Sequence, residues 1–136
     1  MSIIAHCINE ISHLAEKGFE QIEAGESDFS TFVKDVQRTM RGLSVDIVED
    51  VMAKTEDSIF RSPERKKNFR VQRSNDEKII STILGDVRLK RRYYQSKVND
   101  QYIYLLDDFL GIEPHQRIDG SLEEDILEKA SQMSYQ

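Results

Sequence analysis

Apolar side chains at the start of the chain return at steps of three and four residues. Ile4, Cys7 with Ile8, Ile11, Leu14 with Ala15, Phe19 and Ile22 form one stripe, which predicts a helix over residues 3–23. Gly25 is a suitable stop, and Ser27 or Asp28 a suitable N-cap for a second helix. Its stripe runs through Phe29, Phe32 with Val33, Val36, Met40, Leu43, Ile47 and Val51 toward Ile59, predicting helix over residues 28–60. Gly42 weakens it locally by about 1 kcal/mol relative to alanine. Pro63 ends it, because the residue before a proline is pushed out of the helical region. Two amphipathic helices in succession fit a helical hairpin; pairing of the long second helix with another chain or another domain is the alternative.

Beyond Pro63 the period falls to two. Phe69, Val71 and Arg73 alternate with Arg70 and Gln72, and Ser74-Asn75-Asp76 reads as a turn. Ile79 to Leu84 is a β-rich run, and Gly85-Asp86 matches a two-residue hairpin turn that opens on glycine. Residues 79–84 are therefore expected to pair antiparallel with 87–94. On the return strand Val87, Leu89, Arg91 and Tyr93 share one face, and Arg88, Lys90, Arg92 and Tyr94 the other. Val98 to Gln101 is the next turn, and Tyr102 to Leu105 a further strand. Leu106 to Leu110 reads as one helical turn closed by Gly111, and Ser121-Leu122-Glu123-Glu124 as a capping box opening a last helix. The expected class is α+β: two N-terminal amphipathic helices, a small antiparallel β-sheet or hairpin, and a C-terminal helix. Three segments are expected: a helical one over 1–60, a basic antiparallel β region over 61–118, and the start of a truncated helical segment over 119–136.

Charge sharpens this division. Residues 1–60 carry 5 Lys/Arg against 12 Asp/Glu, residues 61–97 carry 12 against 4, and residues 98–136 carry 2 against 9. A block of +8 thus lies between two blocks of −7, within a net charge of −6. Clustered cations are suited to phosphate, since they displace counterions from a nucleic acid backbone. The competing readings are a sheet edge guarded by charge, or a patch that pairs with the acidic flanks.

The catalytic inventory is thin. His6 and His13 lie seven residues apart on the first helix with no third ligand nearby, and His115 stands alone. Cys7, the single cysteine, sits on the apolar stripe and rules out an internal disulfide and any multi-cysteine zinc site. Asp107-Asp108 reads as capping or surface. There is no phosphate-binding glycine loop, no Ser-His-Asp set and no dinucleotide fingerprint. No cofactor and no metal are expected. No apolar run approaches the roughly 18 residues of a membrane span, and the N-terminus lacks the pattern of a signal peptide. The expectation is a soluble cytoplasmic protein without a membrane partner.

Two motifs carry specific content. Thr82-Ile83-Leu84-Gly85-Asp86-Val87-Arg88-Leu89-Lys90-Arg91-Arg92-Tyr93-Tyr94 is followed by Tyr102-Ile103-Tyr104-Leu105-Leu106-Asp107-Asp108-Phe109-Leu110-Gly111-Ile112. Together they resemble the N-terminal region of ISLre-type bacterial insertion-sequence transposases, a group also catalogued as an uncharacterised protein family. The resemblance covers roughly residues 57–118, reaching back through Asp57, Arg65, Phe69 and Val71 and forward to Arg117 and Ile118. It implies a transposition context. Its longer members carry an acidic-triad, ribonuclease-H-like core after this region, and no position of this sequence matches those carboxylates. A truncated reading frame or isolated domain without catalysis of its own is therefore expected.

The DNA reading places Arg88, Lys90 and Arg92 along phosphate, about 7 Å apart on alternate positions, with Arg91 as a further contact. Tyr93 and Tyr94 would lie on sugar or stack on an exposed base at a transposon end. Arg65, Lys66, Lys67, Arg70 and Arg73 would widen the footprint. The alternative is a protein–protein module in which the acidic helices form a homo-oligomer and the hairpin packs on a catalytic core. Its interface would use Tyr102, Tyr104, Leu105, Leu106 and Phe109.

Overall fold

The computed structural model describes residues 2–134. Its elements are α1 (Ile3–Glu23), α2 (Phe29–Arg61), α3 (Pro63–Asn68), β1 (Phe69–Thr82), β2 (Gly85–Ser96), β3 (Tyr102–Ile103), α4 (Leu105–Leu110) and α5 (Gly120–Ser134). The class is α+β, as expected. The chain divides into two compact units, Met1–Val48 and Glu49–Gln136. The break falls inside α2 rather than after residue 60. The last three turns of α2 belong with the sheet because Glu56, Asp57 and Ile59 find their partners there.

The first unit is a helical hairpin. Ser2 caps α1 by accepting the Ala5 N–H at 3.1 Å, and Asp28 opens α2 by accepting the Thr31 N–H at 2.8 Å. That bond holds the Asp28 carboxyl below its ordinary value. Gly25 turns the chain between them with a φ of 74°. Two contacts set the helices antiparallel. The start of α1 meets the end of this stretch of α2 through His6 Nε2 and Asp46 Oδ2, 3.0 Å apart. Its far end meets the start of α2 where Gly18 lies against the Phe32 ring. A Cβ at Gly18 would fall 2.3 Å from that ring, so the missing side chain is what admits it.

In the second unit an antiparallel sheet in the order β1-β2-β3 carries α3, α4 and α5. Thr82 pairs with Gly85, so the hairpin turns at Ile83-Leu84, two residues ahead of the expected Gly85-Asp86. The Thr82 hydroxyl fixes this turn by donating to the Gly85 carbonyl at 2.8 Å and accepting the Leu84 N–H at 3.1 Å. Gly85 then opens β2 at a φ of 126°. Ser74-Asn75-Asp76 is not a turn. β1 runs through it with register shifts between Val71 and Arg73 and between Arg73 and Asp76. The surplus residues are absorbed as bulges, and Asp76 is tied down by Arg73 Nε at 3.0 Å and the Tyr104 hydroxyl at 2.6 Å.

β3 is only two residues long, and Leu105 opens α4 instead of closing a strand. Gly111 closes α4 in the left-handed region, at a φ of 69°. α5 is capped from two residues earlier than expected. Asp119 accepts the Ser121 N–H at 3.0 Å and the Ser121 hydroxyl as well, so Ser121 lies inside the first turn. The core gathers around Tyr94 and Leu106, both fully buried, with Ile59 and Leu105 beside them and Phe69, Val71 and Ile103 closing the edge.

Candidate nucleic-acid interface

The basic block does not form one surface. Arg91 shares the sheet face of Val87 and Leu89 and is buried with them. Its guanidinium meets the Asp107 carboxylate at 2.5 Å and lies 3.7 Å from the centre of the Tyr104 ring. Asp107, expected at the surface, is thus the internal counter-ion of this arginine. Burial pushes its pKa up while Arg91 pulls it down, and Asp107 Oδ1 and Arg91 Nε are left without hydrogen-bond partners.

Tyr94, expected to stack on an exposed base, is the most buried side chain of the core. Its hydroxyl donates to Glu56 Oε1 at 3.0 Å. Desolvation raises the pKa of both groups. Arg92 is drawn to the same place, with its guanidinium 4.1 Å over the Phe60 ring and Nη1 3.6 Å from Glu56 and 3.4 Å from Asp57. The expected row of Arg88, Lys90 and Arg92 therefore loses its third member to the acidic end of α2.

Arg65 is also occupied. Its Nη2 and Nε donate to the Phe60 carbonyl at 2.6 and 2.9 Å, satisfying an acceptor in the last turn of α2. Its guanidinium lies between the rings of Phe60 and Tyr94, 4.6 and 5.8 Å from their centres. Arg73 covers the Tyr93 ring at 4.4 Å and pairs with Asp76 at 2.8 Å. Tyr93 is stacked on Tyr102, with centres 5.3 Å apart, and tilted against Tyr104 at 4.5 Å. These contacts occupy both faces that a nucleotide base would need.

One group of exposed cations gathers at one end of the sheet. Lys66 and Lys67 in the last turn of α3, and Arg70 at the start of β1, are exposed, with no carboxylate at ion-pair distance among the described residues. Lys97, which no sequence pattern singles out, completes this group. Its main-chain N–H donates to the Asn68 carbonyl at 2.8 Å, and its Nζ to the Lys66 carbonyl at 2.8 Å. The antiparallel register is the missing signal: Arg70 pairs with Gln95, which brings the residues after β2 back beside α3. Lys90 is exposed and unpaired too, but it faces Glu77 across the strands. Arg88 lies 3.8 Å from Glu77, and its main-chain N–H is taken by Glu49 at 3.1 Å.

The pattern of UPF0236, an uncharacterised protein family, matches residues 25–136. The chain belongs to this family. UPF0236 proteins of Caldanaerobacter subterraneus subsp. tengcongensis are similar to it. One is 35% identical over 96 residues, covering 71% of this chain and 20% of its own length. Another is 29% identical over 118 residues, covering 87% of this chain and 25% of its own. A third is 38% identical over 80 residues, 59% of this chain and 17% of its own. The chain thus spans a quarter or less of the length of these relatives. No solved structure matches it. The UPF0236 match takes in the whole second unit, and with it the patch of Lys66, Lys67, Arg70 and Lys97. Among the described residues no His, Cys, Asp or Glu cluster is suited to a metal ion, and no helix is long and apolar enough to cross a membrane.

Proposed function

We propose that this chain corresponds to the N-terminal region of an ISLre-type insertion-sequence transposase. In this reading it holds DNA through the cation patch beside α3 and performs no chemical step itself. The observation that carries the proposal is the contrast within the basic block. In a chain of pI about 5.1, Lys66, Lys67, Arg70 and Lys97 remain exposed without acidic partners, while Arg91 and Arg92 of the same run are paired with acids. Four cations on long stems, none committed to a protein anion, are suited to a phosphate backbone and not to reading base edges. The transposition context rests on the two motifs of residues 82–94 and 102–112. The name of one relative joins eleven designations from a single organism, as expected of a sequence carried at many loci.

The test is a salt titration of binding to random duplex DNA and to the terminal sequences of the element. Phosphate binding by this patch should weaken steeply, with a log–log slope of about −3 to −4. Absence of retention at low salt overturns the DNA reading and leaves the protein–protein one. That second reading has its own support in Phe109, 72% exposed beside an open apolar groove that Val51, Ile59, Phe69 and Leu105 also line.

A further inference from the structure

The first unit is a two-helix plate with unlike sides. Gly18 against Phe32 marks the direction in which each helix faces the other. Successive residues turn by about 100° around a helix. Counted from Gly18, the side chains of Ile4, Ile8, Ile11, Phe19 and Ile22 all fall to one rotational side of that direction. Counted from Phe32, those of Phe29, Val33, Met40 and Ile47 fall to the same rotational side. In antiparallel helices equal rotation leads to the same flank, so both stripes share one side of the plate. All nine side chains are between 42% and 79% exposed. The opposite flank is polar, carrying Glu10, His13, Lys17, Asp35 and Arg38.

We propose that this apolar flank is the docking face for a second copy of the chain, with α1 of one copy lying along α2 of the other. Two observations select that occupant. The first is area. At about 150 Å² for a large apolar side chain, nine of them at these exposures present on the order of 700 Å². That approaches the roughly 800 Å² per partner of a standard stable interface. The second is charge. The outer border of the stripe on α1 carries the exposed acids Glu16 and Glu23, and that on α2 the exposed bases Lys34 and Arg41. A two-fold axis parallel to the helices lays α1 over the partner's α2 at the height that the Gly18–Phe32 contact sets, which brings Glu16 beside the Lys34 of the second copy. An axis across the helices stacks α1 on α1 and brings acid to acid. The result is an isologous four-helix bundle whose register is chosen by its rim.

This inference goes beyond the DNA reading and is read out without DNA. Sedimentation equilibrium of the full chain should show a monomer–dimer equilibrium. Val33→Glu places a charge in the middle of the apolar flank and should raise the dimer dissociation constant more than about a hundredfold, with the helical circular dichroism kept. Lys17→Glu on the polar flank should leave it unchanged. Lys34→Glu touches only an exposed side chain, so it keeps the fold and should weaken the dimer about fivefold through the two symmetric pairs. Adding Glu16→Lys should restore it. A monomer at every soluble concentration overturns the proposal. So does a dimer that tolerates both Val33→Glu and the charge reversal, or a reversal that the swap fails to rescue.

Discussion

The arginines of the central hairpin and the lysines beside α3 belong to one basic run of sequence but differ in what surrounds them. Arg65, Arg73, Arg91 and Arg92 each lie over an aromatic ring and each hydrogen-bond or pair with an acceptor of the protein. Lys66 and Lys67 have neither. The difference lies in the chemistry of the side chains. A guanidinium is flat, weakly hydrated and able to stack, so it serves inside a fold, whereas an ammonium stays with water. A block of positive charge is therefore two things at once here: scaffold where Arg65, Arg73, Arg91 and Arg92 meet rings and acceptors, and open surface at Lys66, Lys67 and Arg70.

The comparison breaks most visibly if the central pair is dispensable. Asp107→Asn or Arg91→Ala leaves one buried charge without its partner and should cost about 3–5 kcal/mol, read by urea denaturation. Replacing both, as Arg91→Met with Asp107→Leu, should recover most of that loss, since a packed apolar pair does without desolvated charge. The converse test removes the lysine end. Ala at positions 66, 67, 70 and 97 together should leave the urea midpoint in place while lowering the DNA salt slope by about three to four units, near 0.9 per lost contact. An unchanged slope separates the patch from DNA.

A smaller effect comes from acid. Burial raises the Glu56 pKa above its ordinary 4.5. The proton is then held more tightly in the folded chain than in the unfolded one. The resulting stability is complete below about pH 4.5 and is lost as pH rises through the elevated folded value. Glu56→Gln keeps an acceptor for the Tyr94 hydroxyl and removes the buried charge. It should raise the midpoint at pH 7, by less than the Asp107 variants lower it, and flatten the gain on acidification. The smallest change is expected from Arg88→Ala with Lys90→Ala. These side chains are exposed but face Glu77 and Ile79, so the slope should fall by less than about half a unit with stability unchanged. A fall of about 1.8 units, that of two full phosphate contacts, would erase the distinction between the two regions.

Much of this fold is legible as periodicity. The helical stripes, the switch at Pro63 and the cap at Gly111 come from spacing and turn chemistry. Alternation also puts Arg91 on the face of Val87 and Leu89, which is the sign of its burial. What alternation does not supply is the counter-ion, because Asp107 lies sixteen residues on, in a helical turn that the pattern of Leu105 and Leu106 places without orienting. The hairpin turn is hidden for a local reason. Glycine at 85 looks like a turn centre, yet the Thr82 hydroxyl closes the loop two residues earlier. The bulges in β1 are masked by polar residues, Ser74 and Asn75, that serve equally well in a turn. Tyr94 looks like a DNA contact because its neighbours in sequence are basic; its burial depends on Ile59 and Glu56, which only the fold brings near.

The two bulges of β1 have a further bearing on how this protein meets its own kind. A fourteen-residue outer strand is long enough to recruit foreign strands by its unpaired peptide groups. Here its last residues before the turn are covered by a short parallel bridge to Ile118, where Ser81 accepts from Asp119 and donates to Arg117, each at 2.8 Å. Its earlier half is bent twice, at Gln72 and again before Asp76. No long flat run of free donors and acceptors survives along that border. Fibril growth by strand addition is thereby disfavoured, and any assembly is steered toward side-chain packing that dilution reverses.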